Sequence, residues 1–310
     1  MRPVLVLFLS IHSAVAGLAR YSDLVVADSP NQRVDRNSIR ITYLGTNGYQ
    51  FETSGHSILI DPYFSRISIA RAGLGSSIQP DDTRINQGLA NLSRQADAIL
   101  ITHAHFDHLL DAPMIMKRTG ARLIGSGTAI ELASRAGADR SKCAAIRPGA
   151  ERAVGPWHIT ALTASHDRIP MFGVPFSGPI RGDDPPRRAS DWVCGEPLSY
   201  LIAANGLTIF IDSGGTPSVL PSAKVGPVDL AILGAALPDS RQRFAATVTA
   251  LRPRYILPSH QDNFFKPLDR GFQFGPMTDF SFVRREHQAR HLPGRLILLN
   301  YFRPWTLAPR

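Results

Sequence analysis

The sequence predicts a mixed α/β fold built on buried sheets. Hydrophobic residues make up 44% of the 310 and charged residues only 19%, and the mean hydropathy is close to zero, so the chain carries enough apolar surface for a full core. Short runs rich in Ile, Val and Leu recur from residue 39 to residue 299 and alternate with helical periodicities, the pattern of strands interleaved with helices. The 25 glycines and 24 prolines exceed the usual share and cut the chain into compact elements joined by short loops.

The first element stands outside that rhythm. Arg2, an apolar run over 4–11 and the small residues Ala14, Val15 and Ala16 follow the order of an export leader. We expect a leader within 1–19, cut after Ala16 or Ala19, and a single domain over 20–310. The product is then exported, periplasmic or secreted, with no membrane span in the mature chain.

Strands are predicted over 39–44, 49–53, 57–60, 98–102, 122–124, 157–163, 199–203, 207–211, 230–233, 255–257 and 296–299. Two pairs read as hairpins, through Ser54-Gly55-His56 and through Asn205-Gly206. Helices are predicted over 83–96, 109–118, 128–136, 240–251 and 282–291. Between 167 and 197 no periodicity holds, and a loop of that length in a compact domain is usually functional.

Two cysteines, Cys143 and Cys194, exclude a disulfide framework and a cysteine-rich zinc finger, although export would make them eligible for one bridge. The net charge of +9 favours an anionic substrate. Its arginines are scattered, with local groups at Arg181, Arg187 and Arg188, so no nucleic-acid partner is expected.

The chemistry concentrates after the strand at 98–102, in His103-Ala104-His105-Phe106-Asp107-His108. In an extended strand end, residues i and i+2 point the same way, so His103 and His105 can grip one cation. Asp107 and His108 turn away with the chain and can face a second. Further donors stand where other strands stop: His166 after 157–163, Asp212 after 207–211 and His260 after 255–257. Imidazoles with carboxylates suit zinc, and seven donors are enough for two ions that share a carboxylate.

On these residues the chain resembles the metallo-β-lactamase superfamily. The resemblance implies a four-layer αββα sandwich, with His103, His105 and His166 on a first metal, Asp107, His108 and His260 on a second, and Asp212 bridging them. Asp61, in Leu59-Ile60-Asp61-Pro62, is similar to the family's outer-shell acid, which steadies ligand loops by hydrogen bonds. The order of motifs is similar to lactone- and phosphodiester-cleaving members, including ascorbate-6-phosphate lactonase and the phospholipase D acting on N-acylphosphatidylethanolamine. The implied activity is dinuclear zinc hydrolysis of an ester-type bond by a hydroxide held between the metals, with Asp107 as the catalytic residue orienting it. The substrate class is a small molecule or a lipid-like molecule, with an anionic group admitted by the charge.

Two other readings of the same ligands remain: an oxidoreductase using iron, with manganese a further metal choice, and a non-catalytic binding protein in which metal staples loops. The other histidines carry no site reading: His12 falls in the leader, His56 in a turn and His158 at a strand start. His287 and His291 share a helical spacing without the glutamate of a zinc protease. Phe264, Phe265, Phe272 and Phe274 read equally as a pocket wall or as packing beneath a loop, with Lys266 beside them as a candidate contact to an anion.

Overall fold

The computed structural model describes residues 17–29, 35–169, 171–212 and 225–310. Most of the expected leader and the run after Asp212 lie outside them.

The described residues form two seven-stranded sheets. The first contains β1 (Ile39–Gly45), β2 (Gly48–Thr53), β3 (His56–Ile60), β4 (Ala98–Leu100), β5 (Arg122–Gly125), β6 (Cys143–Ala145) and β14 (Trp305–Leu307), in the order β14-β1-β2-β3-β4-β5-β6. The second contains β7 (Glu151–Val154), β8 (Trp157–Thr163), β9 (Leu198–Ala204), β10 (Leu207–Ile211), β11 (Leu230–Gly234), β12 (Tyr255–Ser259) and β13 (Arg295–Leu296), in the order β13-β12-β11-β10-β9-β8-β7. Strands β3 to β6 run parallel, as do β10 to β13.

Burial on both faces explains why the central strands read as continuous apolar runs. Along β4, Ala98 and Leu100 face the core between the sheets while Ile99 faces outward. Along β10, Ile209 and Ile211 face that core and Phe210 faces outward. The outer face of the first sheet is covered by α2 (Asp82–Leu89), α4 (Ala112–Thr119) and α5 (Gly127–Arg135), through Ile85, Ile115, Met116, Ile130 and Leu132. The outer face of the second is covered by α6 (Pro238–Leu251) and α7 (Phe280–Ala289), through Phe244, Val248, Leu251, Phe280 and Val283. This is the expected αββα arrangement.

Several boundaries differ from expectation. The helix expected over 83–96 ends at Leu89, where Gly88 lies against the Phe64 ring and the chain turns. Short helices α1 (Ile69–Gly73) and α3 (Phe106–Leu109) are additional, as are β6, β7 and β14. These strands lie at sheet ends, and three of the four β7 residues are exposed. The strand expected over 296–299 is reduced to β13. Cys143 and Cys194 are both free, so the eligible bridge is not formed. No helix among the described residues is long and apolar enough to cross a membrane.

Asp111 couples packing to pH. It precedes α4 and accepts from Phe64 N at 2.6 Å, Ser65 N at 2.8 Å and Ser65 Oγ at 2.5 Å. Burial outweighs these donors and raises its carboxyl to about 6. A folded pKa above the unfolded one means stability that is complete below the unfolded value and declines as pH rises through about 6. Urea unfolding of the wild type against Asp111→Asn should therefore show a difference that shrinks between pH 4 and 6.5, by roughly 3 kcal/mol, and is flat above.

Candidate metal centre

The parallel strands bring their C-terminal ends to one edge, and the sequence places polar donors just beyond those ends. The chain leaves β4 through Ile101 and Thr102 into His103. Below this point the two sheets are tied together, since Tyr200 Oη donates to Ile101 O at 2.7 Å and Leu198 N donates to Thr102 O at 2.7 Å.

Two groups of donors result. His103, His105 and His166 offer ligand atoms within 4.8 Å of one another, and Asp107, His108 and His260 do the same. The groups adjoin, with the His103 and His108 ring centroids 3.9 Å apart.

In the first group each imidazole is held by one nitrogen and presents the other. His105 Nε2 lies 2.9 Å from Pro175 O and His166 Nδ1 lies 2.7 Å from Asp167 O, so both donate outward to carbonyls. His103 Nδ1 lies 3.3 Å from Thr102 Oγ1, and its Nε2 stands 2.9 Å from His105 Nδ1. Burial, reinforced by the neighbouring imidazoles, holds His103 well below the usual range and lowers His105 to about 3. Burial likewise lowers His166 to about 4. Three neutral rings therefore offer lone pairs to a cation.

The second group is charged. His108 Nδ1 stands 2.8 Å from Asp61 Oδ2, while Asp107 Oδ2 is 3.5 Å from His108 Nε2 and 3.2 Å from His260 Nε2. Burial opposes charge on His108, but Asp107 and Asp61 outweigh it and raise the imidazole to about 10. The same histidine, with His260, keeps Asp107 well below the carboxylate range despite its burial. A cation entering here has to displace the His108 proton.

The donor spacing fits a small, tetrahedrally held cation. With metal–ligand distances of about 2.0–2.1 Å, the edge of a coordination tetrahedron is about 3.3 Å, and the donor separations of 2.9, 3.2 and 3.5 Å fall around that value.

The remaining sequence candidates are distributed unevenly. Asp61 is fully buried and accepts from Thr102 N at 2.8 Å, Thr102 Oγ1 and Asn47 Nδ2 at 2.9 Å besides facing His108. Asp212 follows β10, buried, with Oδ1 accepting from Gly234 N at 2.8 Å, and it belongs to neither group. The irregular loop after His166 wraps the motif: Ala104 N donates to Cys194 O at 3.1 Å, and Phe176 stands edge-on to His105 at 6.0 Å.

The four phenylalanines separate. Phe264 stands edge-on to His260 at 5.0 Å and packs at a tilt against Phe265, whereas Phe272 and Phe274 pack into the core with Tyr21, Tyr43 and Phe280. Arg181, Arg187 and Arg188 line an open cavity of about 480 Å³ whose walls include none of the donors. Lys266 is exposed. His287 bonds to Gly294 O, and His291 lies beyond the end of α7 in a left-handed turn, so neither forms a metal pair.

Sequence reasoning missed the residues that hold the donors in place: Thr46, Asn47, Arg66 and Asp262. Buried polar character at 46 and 47, next to a glycine in a strand-to-strand turn, was the available signal.

The family model described as beta-lactamase superfamily domain matches residues 56–260, about two thirds of the chain and the interval that ends on His260. A UPF0173 metal-dependent hydrolase of Pyrococcus furiosus is 28% identical over 231 residues, covering 72% of this chain and 84% of its own length. Among solved structures, Igni18, a metallo hydrolase from Ignicoccus hospitalis, aligns with a TM-score of 0.58 at 18% identity, covering 88% of this chain and all of that one. The metallo-beta-lactamase fold protein YhfI from Bacillus subtilis aligns at 0.56 and 15%, covering 87% and 99%. At these identities the two structures establish the fold. With its family model, its paired sheets and its two groups of His and Asp donors in agreement, the chain belongs to the metallo-β-lactamase superfamily and is a metal-dependent hydrolase on that fold.

Proposed function

We propose that the protein is a dinuclear zinc hydrolase that cleaves an ester-type bond, a phosphodiester or a lactone. The observation that carries this is the contiguity of the two donor groups, whose His103 and His108 rings are 3.9 Å apart, so that two ions would share one reaction space. His103, His105 and His166 would hold one ion and Asp107, His108 and His260 the other, with Asp212 between them. When bound, the pair supplies a polarised substrate oxygen and a water acidic enough to attack at neutral pH.

The chain's own residues do the rest. Asp107, placed on α3 beside His108, would accept a hydrogen bond from the attacking water through its free carboxylate oxygen and aim the water's lone pair at the substrate. Phe176 on one side and Phe264 on the other stand against ligand histidines; they exclude bulk water and favour a substrate with an apolar group beside the scissile bond. The arginine-lined cavity excludes the donors, so those arginines lie outside the reacting centre, where bound cations would meet a negative substrate charge.

The test is a screen of zinc-loaded protein against phosphodiesters, lactones, β-lactams and thioesters, each with and without an apolar substituent. Ester-type turnover is expected, with Phe264→Ala raising KM for the apolar member about tenfold and leaving kcat within about twofold, as loss of uniform binding requires. Turnover that survives complete metal removal, or stoichiometric iron in the purified protein, would overturn the zinc assignment.

Export is part of the proposal, with the leader ending at Ala16. Gly17 is followed by a short 3₁₀ turn whose Leu18 and Tyr21 are buried against the α6–α7 layer, so a cut after Ala19 would strip Leu18 from that packing. N-terminal sequencing of exported protein should read Gly17 first; a start at Arg20 would refute this boundary.

A further inference from the structure

The histidines of the second donor group come from different sheets: His108 from α3, beyond β4, and His260 from the end of β12. Their separation depends on whatever fixes one sheet edge to the other. The turn between β1 and β2 does this through two adjacent residues. Asn47 Nδ2 donates to Asp61 Oδ2 at 2.9 Å, and Asp61 Oδ2 in turn faces His108 Nδ1 at 2.8 Å. On its other side Asn47 Oδ1 accepts from Ser259 Oγ at 2.7 Å, the residue before His260, and Tyr49 Oη donates to Ser259 Oγ at 3.0 Å. Thr46 O accepts from His260 N at 2.9 Å, and Thr46 N donates to Asp262 Oδ1 at 2.8 Å.

Asp262 closes the far side. Its Oδ1 also accepts from Tyr43 Oη at 3.0 Å, and its Oδ2 accepts from Arg66 Nη1 and Tyr301 Oη, each at 2.7 Å. Thr46, Asn47, Asp61, Arg66, Ser259 and Asp262 are all essentially inaccessible to solvent, so water cannot replace a lost partner. Anchorage of the first group runs through Thr102, Pro175 and Asp167; of these only Thr102 also meets Asp61, whereas His105 and His166 are held by carbonyls that Asn47 does not touch.

We propose that Asn47 and Asp262 are positioning residues selective for the second cation. Asn47 sets the distance between His108 and His260 by bonding to the neighbour of each, and Asp262 fixes the left-handed turn at His260, whose φ is +57°. This rests on the two-ion reading above, from which the test separates it.

The experiment is a zinc titration of metal-stripped full-length protein, with bound ions counted by native mass spectrometry. The wild type binds two ions. In Asn47→Ala the weaker-held ion's Kd rises about 10–100-fold, the usual effect of removing an outer hydrogen-bond partner, while the other changes less than about twofold. The double variants assign the sites. Asn47→Ala/His166→Ala binds no zinc at concentrations where Asn47→Ala/His260→Ala still binds one. Tyr301→Phe, which spares the ion pair and so the fold, weakens the same ion a few-fold. Two unchanged constants in Asn47→Ala, two constants that weaken together, or the opposite assignment in the double variants would overturn the role of Asn47. An unaltered Tyr301→Phe would overturn that of Asp262. A wild type that binds fewer than two ions would overturn the dinuclear reading and this inference with it.

Discussion

His103→Ala is expected to lose turnover by about a thousandfold or more and to retain at most one of two zinc ions. The position of the ring explains why this is the most damaging substitution among the donors. Its centroid lies 4.5 Å from His105, 4.7 Å from His166 and 3.9 Å from His108, so it borders every other member of the first group and the nearest member of the second. Alanine leaves two imidazoles for an ion that takes three protein ligands in catalytic zinc sites. It also opens a gap through which the second group relaxes. Removing one preorganised electrostatic element costs about 10²–10³ in rate, and losing the ion removes both substrate polarisation and the supply of nucleophile. Asp61→Ala is the graded comparison. It leaves every donor in place and removes the acceptor that faces His108, so zinc affinity or activity should fall about 10–100-fold. Metal content by elemental analysis and turnover on the best ester from the screen check both variants. Equal losses in the two, or near-normal turnover in His103→Ala, would mean that the imidazole is not a ligand.

The donors were legible in the sequence because each is local to a strand end. The motif at 103–108 reports its own geometry through the alternation of an extended chain, and His166, Asp212 and His260 each follow a run apolar enough to be read as a buried strand. The same burial made the central strands visible. Edge elements were not: β7 has four residues of which three in a row are exposed, and β6 and β14 are three residues each, too short for a period to register. The scaffold of the second group was hidden for another reason. Arg66 and Asp262 are 196 positions apart and Thr46 and Asp262 are 216 apart, so no local pattern couples them. Thr46, Asp61, Arg66 and His260 all have positive φ, a conformation that side chains other than glycine resist. Propensity argues against such turns at these residues, and only their tertiary partners hold them there.

Gly45→Ala is expected to destabilise the protein by about 3–5 kcal/mol, the range found when a buried ion pair loses one partner. Gly45 has φ +90°, and a Cβ there would fall 1.5 Å from Arg66 Nη2, 2.8 Å from Arg66 Cζ and 3.0 Å from Asp262 Oδ2. The guanidinium cannot stay. Arg66 is 1% exposed and spans Asp262 and Leu44 O between the Tyr63 and Tyr301 rings, so displacement strands its charge and that of Asp262 in a site without water. Gly55→Ala separates this effect from backbone strain. It has nearly the same conformation, with φ +83°, and nothing within 4 Å of a Cβ, so its cost should be about 1–2 kcal/mol. Urea midpoints for the two variants measure the difference. A double-mutant cycle then identifies the cause: with Arg66→Ala already present, the Cβ meets no guanidinium, and Gly45→Ala should cost little more than Gly55→Ala. If the full penalty persists in that background, the glycine is required by the turn itself and not by the ion pair. In that case the link from β1 to the His260 loop would be a property of the backbone, with the Arg66–Asp262 pair adding charge neutralisation alone.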